Sequence, residues 1–312
     1  MTDSSSLPIQ KRVIALVGPT ATGKTALGIH IAQQLETEII SADSRVIYQE
    51  LNIGTAKPTM AERQGIPHHM IDVAHPTEAY SAARYQAEAT PILQQLWAAG
   101  KIPVVVGGTG FYIRALLEES FIPPVPPDEA FRQQMIELEA VEGVGILHRL
   151  LQEKDPERAA ALHPNDQFRL IRALEIIHYT GQPVPKTGIP KDFDITWIGL
   201  MMEDRNVLRA KIDARIEAML EAGWLEEVET LLQKYGPEAE ALNVTHGYPE
   251  LVRVIQGKWT LQEAIADIQI QIHQYARRQM TWFRRNKAIR WMGVDKLSQT
   301  ELYAHANDCI NV

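Results

Sequence analysis

Eight residues near the start of the chain, Gly18-Pro19-Thr20-Ala21-Thr22-Gly23-Lys24-Thr25, follow the spacing G-x-x-x-x-G-K-[ST]. The glycines let the backbone bend so that several N–H groups face one anion. Lys24 adds a point charge, and the Thr25 hydroxyl is of the kind that holds Mg²⁺ beside bound phosphates. An apolar run at residues 13–17 precedes the motif as a strand, and residues 26–35 have the composition of a helix. The positive end of that helix dipole would then sit behind the anion. The segment implies a bound di- or triphosphate. It does not say which one, or what is done with it.

A second candidate is a carboxylate. Residues 38–41 read as a short strand, and Ala42-Asp43-Ser44 follows at its end. In open α/β sheets ligands bind beyond the carboxyl ends of the strands, so Asp43 falls where chemistry is expected, although Asp before Ser also caps turns. Residues 101–106 read as a buried strand that ends in Gly107-Gly108-Thr109-Gly110. An ordinary phosphate-loop hydrolase ends such a strand in a magnesium-holding Asp. Here that Asp is absent, and Met70-Ile71-Asp72 is the nearby substitute. This argues against a hydrolytic motor and for a transferase. His68, His69, Asp72 and His75 are spaced irregularly between Pro67 and Pro76, and they match no zinc-ligand pattern, so they are expected to be structural.

The elements that must position these groups follow from patterning. The 312 residues, 45% hydrophobic and 22% charged, suffice for a substantial core. No apolar stretch approaches the ~20 residues of a membrane span. The start, MTDSSSLPIQ, is polar and without an apolar signal core, and the single cysteine, Cys309, excludes internal disulfides and a cysteine-based zinc site. A cytoplasmic location, no membrane partner and a monomer are expected. Ser81 is placed to cap a helix reaching about residue 99, and Thr260-Leu261-Gln262-Glu263 has the form of a capping box opening a helix that runs to about Arg285. Residues 195–202 return as a strand, helices follow at about 206–222 and 225–235, and residues 243–249 read as a loop.

Proline clusters at residues 123–127 and 183–190 bracket a charged helical pattern. The expected fold is α/β: a phosphate-loop NTPase-like core with a parallel sheet flanked by helices, built from residues 1–120 and 193–312. A mostly helical insertion occupies 121–192. Net charge is −8, yet residues 275–290 hold Arg277, Arg278, Arg284, Arg285, Lys287 and Arg290 without an acid. A local patch of this kind grips phosphates even on an acidic protein, or it is simply a solvated helix end. In the insertion, Arg169 and Arg172 are three apart and share a helical face, either as ion pairs or as phosphate ligands.

Taken in order, GPTATGKT at 18–25, ISADSRVIY at 40–48, IGTAKPT at 53–59, GGTGFYIRALLE at 107–118, HPNDQFRLIRALEI at 163–176 and RRQMTWFRR at 277–285 resemble the tRNA dimethylallyltransferase (tRNA isopentenyltransferase) family over nearly the whole chain. No zinc-finger extension is present, so the resemblance is to the bacterial form. It implies transfer of a dimethylallyl group from dimethylallyl diphosphate to N6 of the adenine at tRNA position 37, in the anticodon stem-loop, with Mg²⁺ as cofactor. It also implies roles: Asp43 as general base, with Thr109 beside it and Arg215 in the catalytic site. Residues Gly18, Pro19, Thr20, Ala21, Thr22, Gly23, Lys24 and Thr25 would hold the diphosphate, Thr25 also holding the metal. tRNA contacts are implied for Asp43, Ser44, Arg45, Val46, Thr109, Arg132, Phe168, Arg169, Leu170, Ile171 and Arg172, with Arg277 and Arg278 in the basic helix. The family pattern puts an apolar residue where this chain has His246. The residues by themselves leave open a small-molecule kinase using ATP, prenyl transfer to free adenine nucleotides, and a nucleotide-gated RNA-binding protein.

Overall fold

The computed structural model describes residues 11–118, 123, 125–185 and 191–311. The N-terminal tail, Pro124 and Pro190 lie outside them. The chain forms two compact units, one from residues 1–117 and 191–312, the other from residues 118–190.

In the first unit, the apolar run becomes β1 (Arg12–Val17) and the motif leads into α1 (Lys24–Gln34). Then come β2 (Ile39–Ser41), β3 (His68–His69), α2 (Ala82–Ala98), β4 (Val104–Gly107) and α3 (Gly110–Leu117). In the second unit, α4 (Glu129–Glu142), α5 (Ile146–Lys154), α6 (Pro156–Ala160) and α7 (Gln167–Thr180) enclose their own core of Leu147, Leu151, Leu170, Ile171 and Leu174. The chain re-enters the first unit as β5 (Asp194–Met201). It continues through α8 (Arg205–Glu221), α9 (Trp224–Tyr235), α10 (Glu240–Val244), α11 (Tyr248–Ile255), α12 (Leu261–Phe283), β6 (Arg290–Gly293) and α13 (Gln299–Ile310).

The sheet is parallel throughout, in the order β3-β2-β4-β1-β5-β6. Its central strand is apolar at every position from Val13 to Val17 because both faces are covered. Val13, Ala15 and Val17 face a core shared with α2, α3 and α8 to α12, whereas Ile14 and Leu16 face α1 and α13. This order makes β2, β4 and β1 adjacent, so their carboxyl ends open on one edge of the sheet. Asp43, Gly108-Thr109 and the phosphate loop are thereby delivered to the same place by three neighbouring strands. No described helix is long and apolar enough to cross a membrane.

The capping expectations hold. Ser81 Oγ accepts from Arg84 N at 3.1 Å, and Thr260 and Glu263 form the reciprocal pair, with Thr260 N to Glu263 Oε2 at 2.8 Å. Two readings are corrected. Residues 243–249 are not a loop: α10 ends at Val244 and α11 begins at Tyr248, with Pro249 in its first turn, where a missing N–H costs nothing. The Glu250 carboxylate accepts from Gly247 N at 3.0 Å and so starts the helix three residues after α10 stops. The helix expected to reach about Arg285 ends at Phe283, but beyond it Arg290 opens β6, an edge strand beside β5 that the sequence reading lacked.

Candidate active site

The phosphate loop is shaped before any ligand arrives. Gly23 takes φ 85°, left-handed backbone that favours glycine, and starts α1. Thr22 Oγ1 donates to Pro19 O at 2.9 Å, and Lys24 Nζ donates to the same carbonyl at 2.6 Å. Burial pushes the Lys24 ammonium down to about 8; Asp43 opposes that fall and Arg215 adds to it. An anion in the loop would supply the charge that Lys24 lacks. Burial also lowers Arg215, against the pull of Asp43 and Glu62. Its Nη1 reaches Thr20 Oγ1 at 3.4 Å from α8, so a residue nearly two hundred positions away completes the loop.

Asp43 stands at the mouth of β2, where its Oδ1 accepts from Arg45 N at 2.8 Å. Thr109 closes the gap between β2 and β4. Its N–H donates to Ala42 O at 3.1 Å, and its Oγ1 accepts from Ser44 N at 2.9 Å. Two site residues were not found in the sequence, and both come from α12. Gln279, only 5% exposed, accepts from Thr20 N at 3.0 Å and donates to Gly108 O at 2.9 Å, tying the phosphate loop to the end of β4. A Cβ on Gly108 would come within 2.2 Å of Gln279 Nε2, so a larger residue there would displace the Gln279 amide. Tyr275 lies one turn earlier. Its phenol is pushed up to about 12, first by burial and then by the charge of Asp43, with Thr109 acting in the opposite sense, so it stays neutral. The available signal was the buried stripe Ile268, Ala276, Gln279, Phe283, an amphipathic face on which a glutamine is out of place.

Two cavities meet at Asp43. The first, about 190 Å³, is lined by Thr20 to Thr25, Asp43, Val46, Thr55 and Arg215 among others. The second, about 80 Å³, shares Thr20, Asp43, Thr55, Arg215 and Tyr275, and adds Ile212, Ile216, Met219, Ile272, Thr245 and His246. One cavity is therefore built for an anion. The other is half apolar with a polar end, and the carboxylate stands where they join.

Asp72, the substitute carboxylate, is paired with Lys57. Lys57, a buried cation of the 53–59 segment, donates from Nζ to Asp72 Oδ1 at 2.5 Å and to Tyr48 O at 2.8 Å, so both charges have a structural use. The histidines each have their own neighbour: His68 with Ile66 O, His69 with Glu38, and His75 with Thr77. Among the described residues no cluster of His, Cys, Asp or Glu is arranged to hold a metal ion. Thr25, exposed in the first cavity, nonetheless suits an ion that takes most of its ligands from substrate phosphate and water, as Mg²⁺ usually does.

In the second unit the residues proposed to meet RNA divide. Glu175, 0% exposed, receives Arg132 Nε at 2.9 Å and an ion pair from Arg172, whose Nη2 also donates to Val125 O at 2.8 Å. These two arginines are committed to holding α4 against α7. Leu170 and Ile171 are core residues, so a direct side-chain contact with RNA is corrected for both. Phe168, 76% exposed, and Arg169, whose side chain is 56% exposed beside Asp166, are accessible. In the first unit Arg277, Arg278, Arg284 and Arg285 are exposed, Arg45 and Val46 border the cavities, and Ser44, just before them in the chain, is tied to Thr109.

Residues 46–286 match the family model described as IPP transferase. The chain belongs to the IPP transferase family. The match begins just beyond Asp43, so the phosphate loop and the carboxylate rest on their own geometry. Among curated family members, the tRNA dimethylallyltransferase of Symbiobacterium thermophilum is 44% identical over 90% of this chain and 88% of its own length. That of Gloeobacter violaceus is 43% identical over 93% and 95%. Among solved members, the tRNA isopentenylpyrophosphate transferase of Bacillus halodurans superimposes with a TM-score of 0.72 at 36% identity, covering 97% of this chain and 96% of that one. A eukaryotic dimethylallyltransferase acting on tRNA gives a TM-score of 0.81 at 28% identity, covering 96% of this chain and 80% of that one.

Proposed function

We propose that this IPP transferase moves a dimethylallyl group from dimethylallyl diphosphate to N6 of the adenine at tRNA position 37, within the anticodon stem-loop. The observation that carries the reading is the junction at Asp43 between an anion cavity and a second, half-apolar cavity. The diphosphate lies in the phosphate loop with its allylic carbon directed at the junction. The flipped adenine enters from the other side, as a stacked base must be extruded to react.

The bond from the allylic carbon to the diphosphate oxygen breaks, and the bond from that carbon to N6 forms. Charge develops on the departing diphosphate, where loop N–H groups, Lys24 and Arg215 are already oriented and need no reorganisation. Asp43 takes the proton that N6 loses, which helps because the exocyclic amine is a poor nucleophile. Thr109 fixes the strand end that carries Asp43, and Gln279 holds the phosphate loop in register with it. Thr25 would hold Mg²⁺ together with diphosphate oxygens, and the ion when bound neutralises part of the leaving-group charge.

A nucleotide kinase is disfavoured because β4 runs out into Gly107-Gly108-Thr109, where the magnesium-holding Asp of such enzymes would stand. The deciding assay supplies labelled dimethylallyl diphosphate with unmodified tRNA or with AMP. Label is expected in tRNA alone, and label in AMP alone would overturn the choice of acceptor. Asp43→Asn is expected to keep tRNA affinity and to lower single-turnover transfer by ~10²-fold or more. Loss of binding with normal transfer per bound tRNA would make Asp43 a recognition residue instead.

A further inference from the structure

The second cavity ends in two polar side chains that the reaction above does not use. Thr245 is 2% exposed, and its Oγ1 is buried without a hydrogen-bond partner. A buried hydroxyl left unpaired costs about 1–3 kcal/mol, so a native fold that keeps one calls for an explanation. Beside it, His246 has its protonation pattern dictated by neighbours. Gln271 Nε2 donates to Glu250 Oε1 at 2.9 Å and to Asp267 Oδ2 at 2.6 Å, which uses both its hydrogens and turns Oε1 toward the imidazole. His246 Nδ1 lies 3.3 Å from that Oε1 and must therefore be the donor.

In a neutral ring Nε2 is then a bare acceptor. Burial and the charges of Arg45 and Arg278 hold His246 below the usual histidine range, against Gln271 and Glu250. The ring is braced by Tyr275, 5.0 Å away between centroids. Thr245 and His246 line the same small cavity as Asp43, walled by Ile212, Ile216, Met219 and Ile272.

We propose that Thr245 and His246 read the edge of the purine that enters this cavity, selecting a 6-amino purine over a 6-oxo purine. The apolar walls suit the faces of a base. The polar end offers an acceptor, His246 Nε2, for the N6–H that Asp43 does not take, and a donor, Thr245 Oγ1–H, for an adjacent ring nitrogen. A 6-oxo purine presents a carbonyl to the imidazole lone pair and an N–H in place of the N1 acceptor, so it is rejected by repulsion as well as by lost bonds. A hydrocarbon tail would leave both polar groups unpaired.

The inference rests on the proposed acceptor, so wild-type transfer to the adenine RNA is measured first; its absence would sink that reading and not this one. Binding is then compared, without prenyl donor, for anticodon stem-loop RNAs carrying adenine or hypoxanthine at position 37. Wild type is expected to prefer adenine by about 10-fold or more, the range of a good two-point base contact. His246→Leu and Thr245→Val should each reduce the preference to about 3-fold or less, with the KM for dimethylallyl diphosphate unchanged. His246→Gln keeps an acceptor and should retain most of the preference. Should His246→Leu not fold, Thr245→Val and His246→Gln decide the matter. An unaltered preference in Thr245→Val and His246→Leu overturns the proposal. So does a raised KM for dimethylallyl diphosphate with the base preference intact, which would make the cavity a tail site.

Discussion

Lys24 carries the loop's dependence on pH. Its folded value of about 8 lies below the ordinary lysine value of 10.5, so the folded protein without ligand binds fewer protons than the unfolded chain between those limits. Stability of the ligand-free protein is therefore penalised below about 8 and recovers as pH rises toward 10.5. A bound diphosphate favours the ammonium and raises it again. Above pH of about 8, diphosphate binding must then take up a proton, and affinity should fall by up to about tenfold per pH unit. Calorimetry of dimethylallyl diphosphate binding in buffers of different ionisation enthalpy reads that uptake directly. Lys24→Ala should abolish the uptake and lower transfer by at least ~10²-fold. Uptake that persists in Lys24→Ala would assign the titration to another group.

The loop between β2 and β3 is an element without helix or strand over residues 52–57, yet it lines both cavities through Thr55. One carboxylate on α9 organises it: Glu227 Oε2 accepts from Asn52 N and Ile53 N at 2.8 Å each, and Oε1 from Gly54 N at 3.2 Å and Tyr248 Oη at 2.7 Å. Glu227→Ala strands these donors and should cost about 1–3 kcal/mol of stability, with faster amide exchange confined to residues 52–56. Uniform loss of protection across the sheet would show that Glu227 supports the core rather than the loop. None of this clasp was legible in the sequence, because Glu227 lies some 170 positions beyond its loop on a helix rich in glutamates. The same physics separates what was read from what was missed. Asp43, Thr109 and the phosphate loop follow local rules, a strand end and a turn, and sequence spacing exposes them. Gln279, Tyr275 and His246 acquire roles only when α12 and the start of α11 pack over the strand ends. β6 escaped notice because four residues containing Arg290 and Gly293 show no alternation, and only pairing with β5 makes them a strand. Arg132 and Arg172 were legible as cations but not as a clasp, since Arg132 reaches buried Glu175 from 43 positions away and only the packing of α4 on α7 brings the three together.

For the molecule as a whole, a net charge of −8 means that long-range attraction does not bring RNA to this protein. Affinity must come from local phosphate contacts, and such contacts are recognised by their dependence on salt. Arg277, Arg278, Arg284 and Arg285 on the first unit and Arg169 on the second are exposed cations among those the sequence singled out; Arg132 and Arg172 are occupied by Glu175. Neutralising a residue that touches phosphate should reduce the slope of log affinity against log salt by about 1, and a residue outside the contact should leave it unchanged. The expected result is a reduced slope for Arg169→Gln and for Arg284→Gln with Arg285→Gln, with additive reductions when the two sets are combined, because each unit then grips its own phosphates. Arg172→Gln should instead lower the melting temperature while leaving the slope of the folded fraction intact, since it leaves a buried carboxylate short of a cation. Asp43→Asn should alter neither slope nor melting temperature appreciably. Filter binding of unmodified tRNA across a salt series, paired with thermal melts of each variant, tells these apart. Slopes unchanged in both arginine sets would remove the basic helix and the insertion from the RNA-binding surface and leave the cavity at Asp43 to supply recognition on its own.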